Sequence, residues 1–106
     1  MELQTKKKSG SVSIAINGEM TIYAVADFKK RFIEDTSECA DIEIDLSKVA
    51  RLDTAGFQML LSARRMAENG GKSIRFIDPS PDVLHLFFMY HEKIDDWSVY
   101  GRREKT

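Results

Sequence analysis

The chain has 106 residues, 42% of them hydrophobic and 31% charged, with 16 basic against 17 acidic side chains and a net charge of -1. That length suits one hydrophobic core, the composition excludes disordered, collagen-like and low-complexity classes, and near-neutrality leaves no whole-molecule field to draw the chain onto nucleic acid or anionic lipid. The lone Cys39 cannot close an internal disulfide, no apolar run approaches the roughly 20 residues of a membrane span, and no apolar h-region follows the early lysines, so a cytoplasmic location without direct membrane insertion is expected.

Residues 1–10, with Lys6-Lys7-Lys8 and then Ser9-Gly10, are polar and read as a solvated, frayed arm. Residues 101–106, carrying Arg102-Arg103-Glu104-Lys105, read the same way at the other end of a single domain over 1–106. Val12, Ile14, Ile16, Met20 and Ile22 alternate around Asn17-Gly18, which predicts a β-hairpin between Val12 and Tyr23. From Ala24 to Thr36 the period changes to that of an amphipathic helix, with Val25, Phe28 and Phe32 on one stripe. Ile42, Ile44 and Leu46 alternate as a strand, and Lys48 to Asp53 is expected as a connector.

A second helix is predicted over Thr54 to Asn69, ended by Gly70-Gly71, and Ser73 to Ile77 is a further short strand. Asp78-Pro79-Ser80-Pro81-Asp82 is a turn into a third helix, with Ser80 as N-cap and Pro81 at the first helical position. That helix carries Val83, Leu84, Leu86, Phe87, Phe88 and Tyr90, is apolar nearly all round, and is expected to be mostly buried. A last strand is expected around Trp97 to Tyr100. The order β-β-α-β-α-β-α predicts an α/β fold: a mixed sheet with an opening hairpin, later parallel strands joined by right-handed crossovers, and about three main helices.

On the second helix, at about 100° per residue, Gly56, Met59, Leu60, Ala63, Met66 and Ala67 share an arc that should face the sheet. Thr54, Phe57, Gln58, Leu61 and Arg65 share the opposite flank, which brings a hydroxyl, an aromatic, an aliphatic and a cation together. Phe57 and Leu61 on that flank form either an exposed apolar patch of the kind that marks partner sites or a surface covered by the neighbouring helix. Asp53-Thr54 before an apolar helix is also an ordinary N-cap, with either side-chain oxygen able to accept from the free N–H groups.

Asp45-Leu46-Ser47 followed by Leu52-Asp53-Thr54-Ala55-Gly56 resembles the STAS domain, as do Gly18 to Tyr23 and Gly71-Lys72-Ser73. That family is shared by bacterial anti-sigma-factor antagonists, cytoplasmic tails of sulfate transporters, small chemotaxis-associated proteins and a lipid-transport ABC subunit. The pattern is most similar to small stand-alone bacterial members of the chemotaxis or lipid-transport type. In the antagonists the corresponding motif is Asp-Ser-Ser-Gly, and a partner kinase that also binds the sigma factor phosphorylates the first serine. The resemblance therefore implies a regulatory protein-interaction module in signal transduction, with Thr54 as phosphoacceptor and Ala55 standing where the second serine would be. The partner surface it implies is Asp53, Thr54, Ala55 and Gly56, to which the helical wheel adds Phe57, Gln58, Leu61 and Arg65.

The partner implied is a protein: a serine/threonine kinase-type anti-sigma factor, a chemotaxis protein, or a transporter ATPase that the chain would support constitutively. A homodimer is also compatible with such a surface. A nucleotide-binding domain is a further alternative, although no Gly-rich phosphate loop is present, and no nucleophile with a partnered base is visible, so no enzyme activity is expected. A response-regulator receiver needs an acidic pair after its first strand, where this chain has Asn17-Gly18-Glu19. His85, His91 and Cys39 do not share a face, so no metal and no cofactor are expected.

Overall fold

The computed structural model describes residues 1–101, and Arg102-Arg103-Glu104-Lys105, expected as part of a frayed end, lie outside the described residues. Strands run over Glu2–Lys8 (β1), Ser11–Met20 (β2), Asp41–Asp45 (β3), Val49–Leu52 (β4) and Ser73–Ile77 (β5). Helices run over Val25–Thr36 (α1), Thr54–Asn69 (α2) and Pro81–Met89 (α3), with 3-10 turns at Ile22–Ala24 and Ile94–Trp97. The five strands form one mixed sheet in the order β1-β2-β3-β5, and β4 pairs with β2 beyond the end of β3.

The expected frayed arm is a strand. Lys8 to Glu2 pair antiparallel with Ser11 to Asn17, and the hairpin turns at Ser9-Gly10. Ladder bonds are made by backbone and need no apolar side chains, and the lysines of β1 suit an edge strand because they discourage pairing with other chains. Only Leu3 and Thr5 lean inward, and Thr5 Oγ1 donates to Asp35 Oδ2 of α1 at 2.8 Å.

Asn17-Gly18 is accordingly not the predicted hairpin turn. Gly18 has φ of +103°, and the register of β2 against β4 shifts between Gly18 and Glu19. A glycine supplies that backbone without a Cβ penalty, and a bulge there re-aims the strand. Ser11 to Ala15 pair in parallel with β3, and Gly18 to Met20 pair in parallel with β4, so one edge of β2 serves two strands in succession. The expected connector from Lys48 to Asp53 thus contains a strand, hidden because Val49 and Leu52 are buried while Ala50 and Arg51 between them are exposed, which is not an alternating pattern.

The core lies between one face of the sheet and α1 and α2. Val12, Ile14, Ile16, Met20, Ile42, Ile44, Ile74 and Phe76 meet Phe28 and Phe32 from α1 and Met59, Leu60, Ala63 and Ala67 from α2. The opposite face is polar: Lys6, Ser13, Glu43 and Arg75 stand in register across four strands. The 2.6 Å Arg75–Glu43 pair there is solvent-exposed and contributes little to stability.

Two expectations at the C-terminal end change. Trp97 to Tyr100 make a single antiparallel bridge, Ile74 to Val99, in place of a strand. Helix α3 is only 9 residues long and lies against β4 at the margin of the sheet, so one stripe, Val83 and Phe87, is buried. Leu84 and Phe88 are 50% and 78% exposed, and Met89 is exposed too. No described helix is long and apolar enough to cross a membrane.

Helix α2 reaches its place because Gly56 lets its first turn lie on the end of β2. A Cβ at Gly56 would collide with the Met20 carbonyl oxygen and come within 2.5 Å of Leu52 Cδ1. Gly56→Ala should therefore destabilise the fold by about 1–3 kcal/mol, as overpacking does. The check is a lower urea midpoint with an unchanged m-value.

Candidate functional site

The segment Asp53 to Gly56 joins the end of β4 to the start of α2. Asp53 is extended, and its Oδ1 accepts from Gly56 N at 2.9 Å, so Asp53 is the N-cap. Its own N–H donates to Met20 O at 3.3 Å, which ties the cap to the end of β2. With capping done by Asp53, the Thr54 side chain is released from that task. It stands exposed on the first helical residue, and its Oγ1 lies 2.8 Å from the phenol oxygen of Tyr90, each able to donate to the other.

The remaining predicted residues divide. Gln58 and Arg65 are exposed, Ala55 and Leu61 are half-buried, and Gly56 is buried. Phe57 corrects the exposed-patch alternative, being only 6% exposed. Its ring packs against Phe87 at 5.1 Å, Tyr90 at 4.6 Å and Trp97 at 5.2 Å between centroids. Trp97 also meets Phe87 at 4.6 Å and Phe76 at 5.8 Å, so Phe57 is the bridge between α2 and a cluster of aromatics from α3, β5 and the Ile94–Trp97 turn. A 100° arc cannot tell which flank the next helix covers. Here that element arrives some thirty positions later in sequence, and Leu61 is partly buried against the core as well.

Helix α3 is fixed over this junction at both ends. Ser80 caps it as expected, accepting from Val83 N at 3.4 Å, and Pro81 opens it. In its first turn the Asp82 carboxylate accepts from Leu52 N of β4 at 2.9 Å. At its end, Tyr90 reaches Thr54. Arg64 Nε donates to Trp97 O at 3.1 Å, which fastens the following turn to α2.

Two features beside Thr54 did not emerge from the sequence reading. One is the outer face of α3, where Leu84, Phe88, Met89 and Tyr90 are exposed; the signal was its all-round apolarity, which is also the pattern of a buried helix. The other is an apolar groove of about 320 Å³ between α1 and α2, lined by Ile22, Val25, Phe28, Lys29, Ala55 and Gln58 among others. Beside it Tyr23 is 96% exposed. Among the described residues no three His, Cys, Asp or Glu side chains gather closely enough to hold a metal ion.

A family model described as "Mlab, STAS domain" matches residues 3–91. The chain belongs to the STAS domain family. It is similar to the anti-sigma-B factor antagonist of Bacillus subtilis (strain 168), with 21% identity over 87 residues, covering 82% of this chain and 80% of that protein. Its fold is similar to that of the anti-sigma factor antagonist SpoIIAA in its unphosphorylated form, with a TM-score of 0.74 at 18% identity over 96% of this chain and 90% of that one. The same Bacillus cell fate determinant in its phosphorylated form gives a TM-score of 0.70 at 17% identity, over 96% of this chain and 93% of the other. At these identities the structural likeness is one of fold.

The cap can be tested apart from any partner. Asp53→Ala should cost about 1 kcal/mol of unfolding free energy, while Asp53→Asn, an equally good cap, should stay within a few tenths. Thermal melts of the two variants decide it.

Proposed function

We propose that this STAS domain is a non-enzymatic regulator that docks a protein partner on the surface around the start of α2, with Thr54 as the residue whose state sets the affinity. The observation that carries the reading is the division of labour at the helix start: Asp53 makes the cap bond to Gly56, so the exposed Thr54 hydroxyl is not needed to hold the helix. The family relationship to anti-sigma-factor antagonists supports a protein partner of the anti-sigma kinase kind. The contact surface comprises Asp53, Thr54, Ala55, Gln58 and Arg65, with Gly56, Phe57 and Leu61 shaping it from beneath.

A phosphate on Thr54 would sit at a helix N-terminus, whose partial positive charge favours anions, and beside Asp53, which repels it. About two negative charges on a docking surface are enough to reverse binding. In that step the γ-phosphoryl group of a nucleoside triphosphate held by the partner passes to Thr54 Oγ1. The bond to the diphosphate leaving group breaks, and the hydroxyl proton goes to a base on the kinase, so this chain supplies the acceptor alone.

A second reading keeps the same surface without modification, as a constitutive subunit supporting a transporter ATPase. Ala55, where the antagonists carry their second serine, and the match to a family model described as Mlab favour it. Intact-mass spectrometry of protein purified from its native host separates the two. A species heavier by one phosphate at Thr54 supports the switch, and its persistent absence across growth conditions supports the constitutive subunit.

For either reading, Thr54→Glu should weaken binding of the partner, an anti-sigma kinase or a transporter ATPase, by about tenfold or more, equivalent to about 1.4 kcal/mol. Lys6→Gln, on the far face of the sheet, should leave it unchanged. Isothermal titration with the purified partner measures both. Equal affinities for the two variants would remove the Thr54 surface from the interface.

A further inference from the structure

Tyr90 touches the start of α2 with its hydroxyl and the aromatic cluster with its ring. It is the C-cap residue of α3, its Oη is 2.8 Å from Thr54 Oγ1, and its ring lies 4.6 Å from that of Phe57. Phe57 in turn touches Phe87 and Trp97. The phenol is thus polar-bonded to the hydroxyl at the start of α2 and apolar-bonded to the cluster that holds α3 down. The hydroxyl pair spans 36 positions of sequence and links the first residue of one helix to the end of another.

This geometry does not survive esterification of Thr54. Where Thr54 is the donor, the phosphorus takes the place of its proton, on the line to Tyr90, and 2.8 Å leaves no space there for a phosphorus and its three further oxygens. Rotating Thr54 about χ1 carries the phosphate away from Tyr90 but carries the bond with it. With Thr54 as donor the 2.8 Å pair ends either way, because Oγ1 no longer has a proton to give. Besides the Tyr90 ring on Phe57 and a 3.4 Å bond from Trp97 Nε1 to Glu92 Oε2, the turn that Tyr90 occupies is held by backbone bonds: Tyr90 N to Leu86 O at 3.1 Å, His91 N to Phe88 O at 3.0 Å and Glu92 N to Phe87 O at 2.9 Å. His91 completes it in a left-handed conformation, φ +58°, which a residue with a Cβ adopts at some cost. Phe88 and Met89, both exposed, lie on that turn.

We propose that Thr54 donates to Tyr90 and that this hydroxyl pair is a latch on the C-terminal turn of α3, closed while Thr54 is free and opened when Thr54 is phosphorylated. The consequence is that the two states of the domain differ in shape at α3 as well as in charge at α2. The proposal rests on the reading of Thr54 as a modified hydroxyl. Its test is chosen to be independent of any partner.

The protein is prepared with phosphothreonine incorporated at position 54, in the otherwise unchanged chain and with Tyr90→Phe. Amide hydrogen exchange at residues 90–92 and the emission of Trp97, the only tryptophan, are the readouts. Opening the latch should speed exchange at those amides by about three- to tenfold, the equilibrium worth of one intramolecular hydrogen bond, and shift the Trp97 emission. Tyr90→Phe, which keeps the ring against Phe57, and Thr54→Val should reproduce the change without phosphate, while Thr54→Ser should retain wild-type exchange. Phosphate added in the Tyr90→Phe background should then change exchange less than twofold further.

Unchanged exchange at 90–92 in the phosphorylated protein, or an equal effect of phosphate with and without the Tyr90 hydroxyl, overturns the latch. Loss of partner affinity with no change at α3 leaves the docking reading standing and rejects the latch. An altered α3 with unchanged partner affinity supports the latch and rejects the docking reading.

Discussion

The Met20 carbonyl at the end of β2 accepts from the Asp53 N–H and lies directly against Gly56, so the first turn of α2 is set on the end of the central strand with almost no intervening atoms. That contact requires β2 to run past the end of β3 and pair with β4, and the bulge at Gly18 is where it changes partner. Once β4 is in place, its last residue, Leu52, is followed by Asp53 as cap and Thr54 as first helical residue with no loop to blur their positions. A residue held this way, on rigid elements at a strand-to-helix junction, has little backbone freedom left to lose, and preorganisation of that kind lowers the ordering cost of a contact.

The aromatic cluster serves a different purpose. Phe57, Phe87, Tyr90, Trp97 and Phe76 come from α2, α3, the end of α3, the closing 3-10 turn and β5, and their edge-on and tilted contacts bind these elements into one unit. Such pairs add about 0.5–1.5 kcal/mol each beyond burial, and the elements they join are short. Helix α3 leaves much of its apolar surface outside because it is only two and a half turns long at the sheet margin. Its position depends on Phe87 and Val83 inside, Asp82 on the β4 backbone and Tyr90 on Thr54.

The site was legible in part before any tertiary information. Asp53 and Thr54 stand at a helix start because a short oxygen-bearing side chain before an apolar 3.6-residue period is what a helix N-terminus needs, and either oxygen fitted that role. Which of the two caps depends on backbone torsions: the extended Asp53 aims its carboxylate at Gly56 N, and Thr54, already helical, carries its hydroxyl to Tyr90. Phe57 shows the complementary limit. Its place on the wheel put it with Thr54 and Gln58, and only the arrival of Trp97 and α3 turned that flank inward.

Composition and periodicity by themselves determined a mixed α/β fold, the three helices, the strands at residues 41–45 and 73–77, and the strand-to-helix junction at Asp53-Thr54, because these follow from local patterns of apolar spacing and capping chemistry. Tertiary structure alone decided the pairing of β1, the bulge at Gly18, strand β4 and the Thr54–Tyr90 bond. Each of these is a contact between residues far apart in sequence, or is made by backbone groups that every residue possesses. Side-chain periodicity records which face of an element is apolar, and it carries no information about which distant element will cover that face.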